Sequence, residues 1–78
     1  MPLSIKAPAQ TTEELRNQAY NLIVAHDHRN GSSVERNDAY WSKIRRRAIE
    51  VLTARGTPDT LDIHGTVDKV LEAVRKQG

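Results

Sequence analysis

Residues 33–55 read SVERNDAYWSKIRRRAIEVLTAR, and this stretch decides the fold class. Val34, Trp41, Ile44, Ala48, Val51 and Leu52 trace one apolar stripe of helical period. No Gly or Pro interrupts the run until Gly56, which stands just past its end, with Pro58 beyond. Ser32, with Glu35 three residues on, reads as a capping box at the start. The pattern predicts a helix over 33–55, the longest of the chain, spanning roughly 30 Å or more at about 1.5 Å per residue.

Working towards the N-terminus, Thr11-Thr12-Glu13-Glu14 forms a second capping box. Leu15, Ala19, Leu22, Ile23 and His26 then share a face at spacings of three and four, which predicts a helix over 12–29. Asn30-Gly31 tolerates positive φ and ends it. Residues 1–10 hold Pro2 and Pro8 without helical periodicity and read as an extended arm, with Leu3-Ser4-Ile5 alternating like a short strand.

Working towards the C-terminus, Val67, Val70, Leu71 and Val74 predict a helix over 66–77. The preceding segment is either a helical turn or extended, because Gly65 interrupts the helical pattern and Leu61-Asp62-Ile63 alternates. If both alternating segments are strands, residues 3–6 and 61–64 can pair as a small two-stranded sheet. Three amphipathic stripes need partners to cover them. The expected fold is therefore mainly α: a small three-helix arrangement, with an arm over 1–10 and a single helical domain over 11–78.

Composition bounds this further. A chain of 78 residues buries only ~60% of the surface its unfolded form exposes. It has no Cys to staple that core and no Phe, one Trp and two Tyr to fill it. The thin core makes oligomerisation an open expectation. The lack of Cys fits a reducing compartment and removes thiolate zinc sites. No run approaches the ~20 apolar residues of a membrane span, and residues 1–10 lack the apolar core of a secretory signal. The expected setting is the cytoplasm. Twelve Lys and Arg against ten Asp and Glu give a net charge of +2, which permits nucleic-acid contact without demanding it.

Several clusters invite a chemical reading. His26-Asp27-His28, with His64 elsewhere, offers metal-ligand types. On a helix, residues two apart lie about 200° from each other, and no His pair stands at i, i+4, so no metal site is expected. His26 belongs instead to the apolar stripe, partly buried in a last turn where its imidazole can bond a carbonyl. Arg45-Arg46-Arg47 fans around the helix, whereas Arg36, Lys43 and Arg47 align, with Arg46 beside them. Such a row can contact phosphates, although Glu50 is placed to pair with Arg47. Trp41 is expected to anchor the core. Tyr40 falls at the stripe's edge, exposed between arginines in the manner of an interface hot spot.

Leu61-Asp62-Ile63-His64-Gly65, followed by Thr66-Val67, resembles the LDxHG opening of Smr-type nuclease domains, where a strand leads into a helix. The resemblance covers about the last 18 residues and implies that 60–64 is extended. The later glycine-rich motif of those domains has no counterpart here, so nuclease activity is not carried over.

Other enzyme signatures are missing: there is no P-loop, dinucleotide-binding turn or nucleophile elbow. The expected function is that of a non-enzymatic regulatory or adaptor protein. Its partner is expected to be a protein, held by Arg36, Tyr40, Lys43, Arg46 and Arg47, with no cofactor, metal or membrane involved. Small phage and plasmid accessory proteins, including inhibitors of host machinery, share this size and character. The alternative is a nucleic-acid-binding module using the basic face of the second helix.

Overall fold

The computed structural model describes residues 10–31 and 35–77. Three helices are found there: α1 (Thr12–Asn30), α2 (Asp38–Ala54) and α3 (Ile63–Gln77). Each packs against the other two. No strand occurs among the described residues. The expected arm over 1–10, apart from Gln10, lies outside them, as do residues 3–6 of the expected strand pair, Ser32 and Val34.

Helix α1 begins and ends as its sequence requires. The Thr11 hydroxyl accepts the Glu14 N–H at 3.1 Å and donates to the Glu14 carboxylate at 3.3 Å, satisfying one of the N–H groups left over at a helix start. At the other end, Gly31 has φ 81 and ψ 171, and its N–H reaches the His28 carbonyl at 3.2 Å. That backbone conformation is essentially open to glycine alone.

Helix α2 starts five residues later than the pattern predicts. Glu35, Arg36 and Asn37 are not helical. Asn37 is the N-cap, its side-chain oxygen accepting the Tyr40 N–H at 2.9 Å, with Asp38 in the first turn. The Asn37-Asp38 pair supplies both a capping oxygen and a negative charge at the positive end of the helix. The stripe continues upstream in sequence, but the cap stops the helix. At 17 residues α2 is shorter than the 19-residue α1, so it is not the longest element, and at about 1.5 Å per residue it spans only ~25 Å. Its C-terminus closes on Gly56, at φ 81, whose N–H reaches the Thr53 carbonyl at 3.0 Å. The Thr57 hydroxyl donates to the Leu52 carbonyl at 2.8 Å.

Helix α3 starts three residues earlier than expected. Residues 58–61 form a turn closed by the Leu61 N–H on the Pro58 carbonyl at 3.1 Å. Asp62 then accepts the Gly65 N–H on its carboxylate at 2.8 Å, and its carbonyl takes the Thr66 N–H at 3.0 Å. Ile63 and His64 are already helical. The extended 60–64 that the Smr-type resemblance implies is therefore replaced by a turn and a capped helix start, and 61–64 forms no strand. Gly65 does not interrupt the helix because it sits in the first turn, where the Asp62 carboxylate folds over it. A Cβ at position 65 would meet Asp62 Oδ2 at 2.2 Å.

One apolar cluster fills the centre. Leu15, Ala19 and Ile23 come from α1; Tyr40, Trp41, Ile44, Ala48 and Leu52 from α2; Val67, Val70, Leu71 and Val74 from α3. Trp41 is buried, as its place in the stripe predicts, and meets the Tyr40 ring edge-on with centroids 5.1 Å apart. Arg45–Asp68 and Arg75–Asp38 (3.1 Å) link α2 to α3 at the surface. No helix of the described residues is long and apolar enough to cross a membrane.

Candidate functional site

Two of the five expected partner-binding residues belong to the fold's internal wiring. Tyr40 is only 8% exposed, so it is not a surface hot spot. The late start of α2 puts Tyr40 in its first turn, against the last turns of α1, where its hydroxyl donates to the Asp27 carboxylate. Arg36 precedes the helix instead of riding on its face. It bonds Asp27 through Nε at 2.8 Å and the Gly31 carbonyl at 3.3 Å, with its guanidinium 5.7 Å from the Tyr40 ring centroid. The row Arg36–Lys43–Arg47 is thus broken at its first member.

Asp27 is the hub of this latch. Burial pushes its carboxyl up, but the hydrogen bonds from Tyr40 and Arg36 and the nearby positive charges outweigh that and hold it below the usual aspartate range. Burial, then the bond to Asp27, raises the Tyr40 phenol. The latch bridges the loop between α1 and α2 and fixes how the two helices meet.

Lys43, Arg46 and Arg47 remain together. With His26, Arg29 and Asn30 from the end of α1 they line an open cleft of about 390 Å³ between the two helices, floored by Ile44 and bordered by Glu50. Arg47 pairs with Glu50 at 3.4 Å, as the i, i+3 spacing predicts. Arg29, Lys43 and Arg46 are exposed and form no ion pair among the described residues. Arg45, by contrast, turns away to Asp68.

Reading the sequence by single-helix faces misses Arg29. Its signal is the ordinary preference for cations in a last helical turn, which gives no hint that α2 brings three more alongside. His26 is half-buried at the cleft's back, but its imidazole forms no hydrogen bond to a carbonyl among the described residues. Burial, and then the charges of Arg29 and Arg47, lower its pKa. That favours the neutral imidazole, and the cleft's fixed charge comes from four Lys and Arg side chains against one carboxylate.

Chemically, the cleft is equipped to hold anions. It contains no nucleophile paired with a base, and His26 has no carboxylate to orient it. Among the described residues no three His, Asp or Glu side chains converge as metal ligands would. Asp27, the acidic member of the His26-Asp27-His28 run, is engaged by Tyr40 and Arg36. No family model matches the chain, and no curated protein or solved structure matches it.

Proposed function

We propose that this chain is a non-enzymatic adaptor that binds an acidic patch on a protein partner through the cleft of Arg29, Lys43, Arg46 and Arg47. The observation that carries this reading is the pairing pattern. Arg36, Arg45, Arg47, Arg75 and Lys76 each contact an acidic side chain of the chain itself. Arg29, Lys43 and Arg46, gathered at one concavity by two helices, do not. Such cations add little to the fold, since exposed charges are weak stabilisers. Unpaired and clustered, they steer and select an anionic surface.

The cleft's compactness favours a protein over a nucleic acid. A protein tracking a duplex typically neutralises six to ten phosphates, by rough count. Here only four cations cluster, at one spot. The setting inferred is the cytoplasm, which suits a chain without Cys. The scale and character fit a regulatory accessory protein of the kind phages and plasmids carry.

The test is Lys43→Glu combined with Arg46→Glu. Both side chains are exposed and unpaired, so stability should change by only about 0.5 kcal/mol. Cross-linking in lysate of the native host, read by mass spectrometry, should lose with the double variant a partner that the wild type captures. A glutamate-rich peptide and a 20-base-pair duplex, titrated against salt, separate the classes. Capture of the same partner at wild-type strength would refute the proposal. Tighter binding to the duplex, with a steep salt slope, would establish the nucleic-acid reading instead.

A further inference from the structure

A second surface lies on the other flank of α1. Tyr20 is 42% exposed and Val24 36%, the two large apolar side chains left exposed among the described residues. They stand one turn apart on one face of α1. Tyr20 also walls a groove between α1 and α3 with Arg16, Asn17, Lys69, Val70 and Ala73, whose accessible surface is almost wholly apolar. The groove holds about 210 Å³, below the ~300–1,000 Å³ of small-molecule pockets. That is room for one side chain of a larger partner.

The rim says what kind of partner. Arg16 and Lys69 flank the groove, one from each helix, and neither forms an ion pair among the described residues. The other cations of α3, Arg75 and Lys76, are both paired. An apolar slot between two unneutralised cations complements an apolar anchor flanked by carboxylates. The spacing of the slot and Val24 along α1 matches side chains one helical turn apart, the pattern of a helix laid in a groove.

We propose that the α1–α3 groove docks an acidic amphipathic helix of a partner protein, one apolar side chain entering beside Tyr20 and the next covering Val24, with Glu or Asp side chains reaching Arg16 and Lys69. This surface is separate from the basic cleft and does not rest on that reading. A second copy of the chain is the poorer occupant. Two-fold pairing of this face apposes identical patches, and so brings the Arg16 and Lys69 of one copy towards those of the other.

The probe is a fluorescein-labelled 16-residue helical peptide with Leu at i, i+4 and i+7 flanked by Glu, compared with the same peptide carrying Lys for Glu. Anisotropy should show saturable binding of the acidic peptide, weakened about tenfold or more by the Lys exchange, a difference of about 1.4 kcal/mol. Amide shifts of the ¹⁵N-labelled protein should cluster over 16–24 and 66–74. Tyr20→Ser, and separately Arg16→Glu with Lys69→Glu, should reduce binding to a similar degree with an unchanged circular-dichroism spectrum. Lys43→Glu with Arg46→Glu should leave the amide shifts over 16–24 and 66–74 in place, which separates failure here from failure at the cleft. Equal binding of both peptides, shifts confined to the cleft, or no saturation would overturn the proposal. So would a dimer, seen by light scattering, that Tyr20→Ser dissociates, because the occupant would then be a second copy.

Discussion

Tyr40→Phe deletes one hydroxyl and leaves the ring in place, which isolates the bond to Asp27. A hydrogen bond to a charged acceptor contributes about 1.5–3 kcal/mol. Two features of the latch reduce that range. The Asp27 side chain is 25% exposed, so water replaces part of what is lost, and Arg36 stays as a second donor at 2.8 Å. We therefore expect a loss of about 1–2 kcal/mol. For a domain of this size that lowers the melting temperature by roughly 4–16 °C. Urea and thermal unfolding followed at 222 nm measure it, and a double-mutant cycle with Asp27→Asn isolates the pair, with an expected coupling of about 1 kcal/mol.

The pH dependence has a fixed sign. The folded Asp27 pKa is depressed, so the latch contributes fully above the unfolded aspartate value. Its contribution is lost as the pH falls through the folded value. The gap between wild type and Tyr40→Phe should be flat near neutrality and close below about pH 4. A Tyr40→Phe protein within ~0.3 kcal/mol of wild type, with an additive cycle, would refute the latch and return Tyr40 to the surface.

Three further outcomes follow from the structure. Trp41→Ala empties a core site that is only 6% exposed. It should cost about 3–5 kcal/mol of a total of roughly 4–12 for a chain of this length; a red-shifted, readily quenched Trp emission from the wild type would contradict its burial. Gly31→Ala and Gly56→Ala each place a Cβ at φ 81 and should cost about 1 kcal/mol or more, and unchanged melting of both would show those termini to be relaxed. His26 has a lowered pKa, so the unfolded chain binds its proton first and stability should fall as the pH drops through the ordinary histidine value. His26→Gln should flatten that slope between about pH 7 and 5, and an identical slope would remove the basis for a neutral His26.

The helices were legible where periodicity and caps agreed. Thr11 to Gly31 is such a case, with the hydroxyl cap, the stripe and the terminal glycine all pointing to one element. The start of α2 was not, because Ser32 with Glu35 and Asn37 with Asp38 offer competing caps a few residues apart. The sequence alone does not rank them; in the structure Asn37 is the cap, and a start at Asp38 also lets Tyr40 reach Asp27. The start of α3 misled for a related reason. Leu61-Asp62-Ile63 alternates in the sequence, yet a capping Asp followed three residues later by Gly suits a helix start equally well.

The binding faces illustrate a limit of one-helix reasoning. Arg45, Arg46 and Arg47 are adjacent and chemically identical, yet Arg45 is held by Asp68 on α3 and Arg47 by Glu50, one turn along α2. Only Arg46 is left to look outward, and Arg29 joins it from another helix. The density of basic residues in the sequence therefore says less than their pairing. Once pairing is counted, five of the six cations left over among the described residues collect at the cleft beside α2 and at the groove beside α3, Arg55 being the sixth, and there partners can add interactions without breaking any the fold already uses. Neutralising a self-paired cation removes an internal contact along with a surface charge, whereas Lys43, Arg46, Arg16 and Lys69 can be reversed without breaking any ion pair of the fold. That separability makes both surfaces open to test.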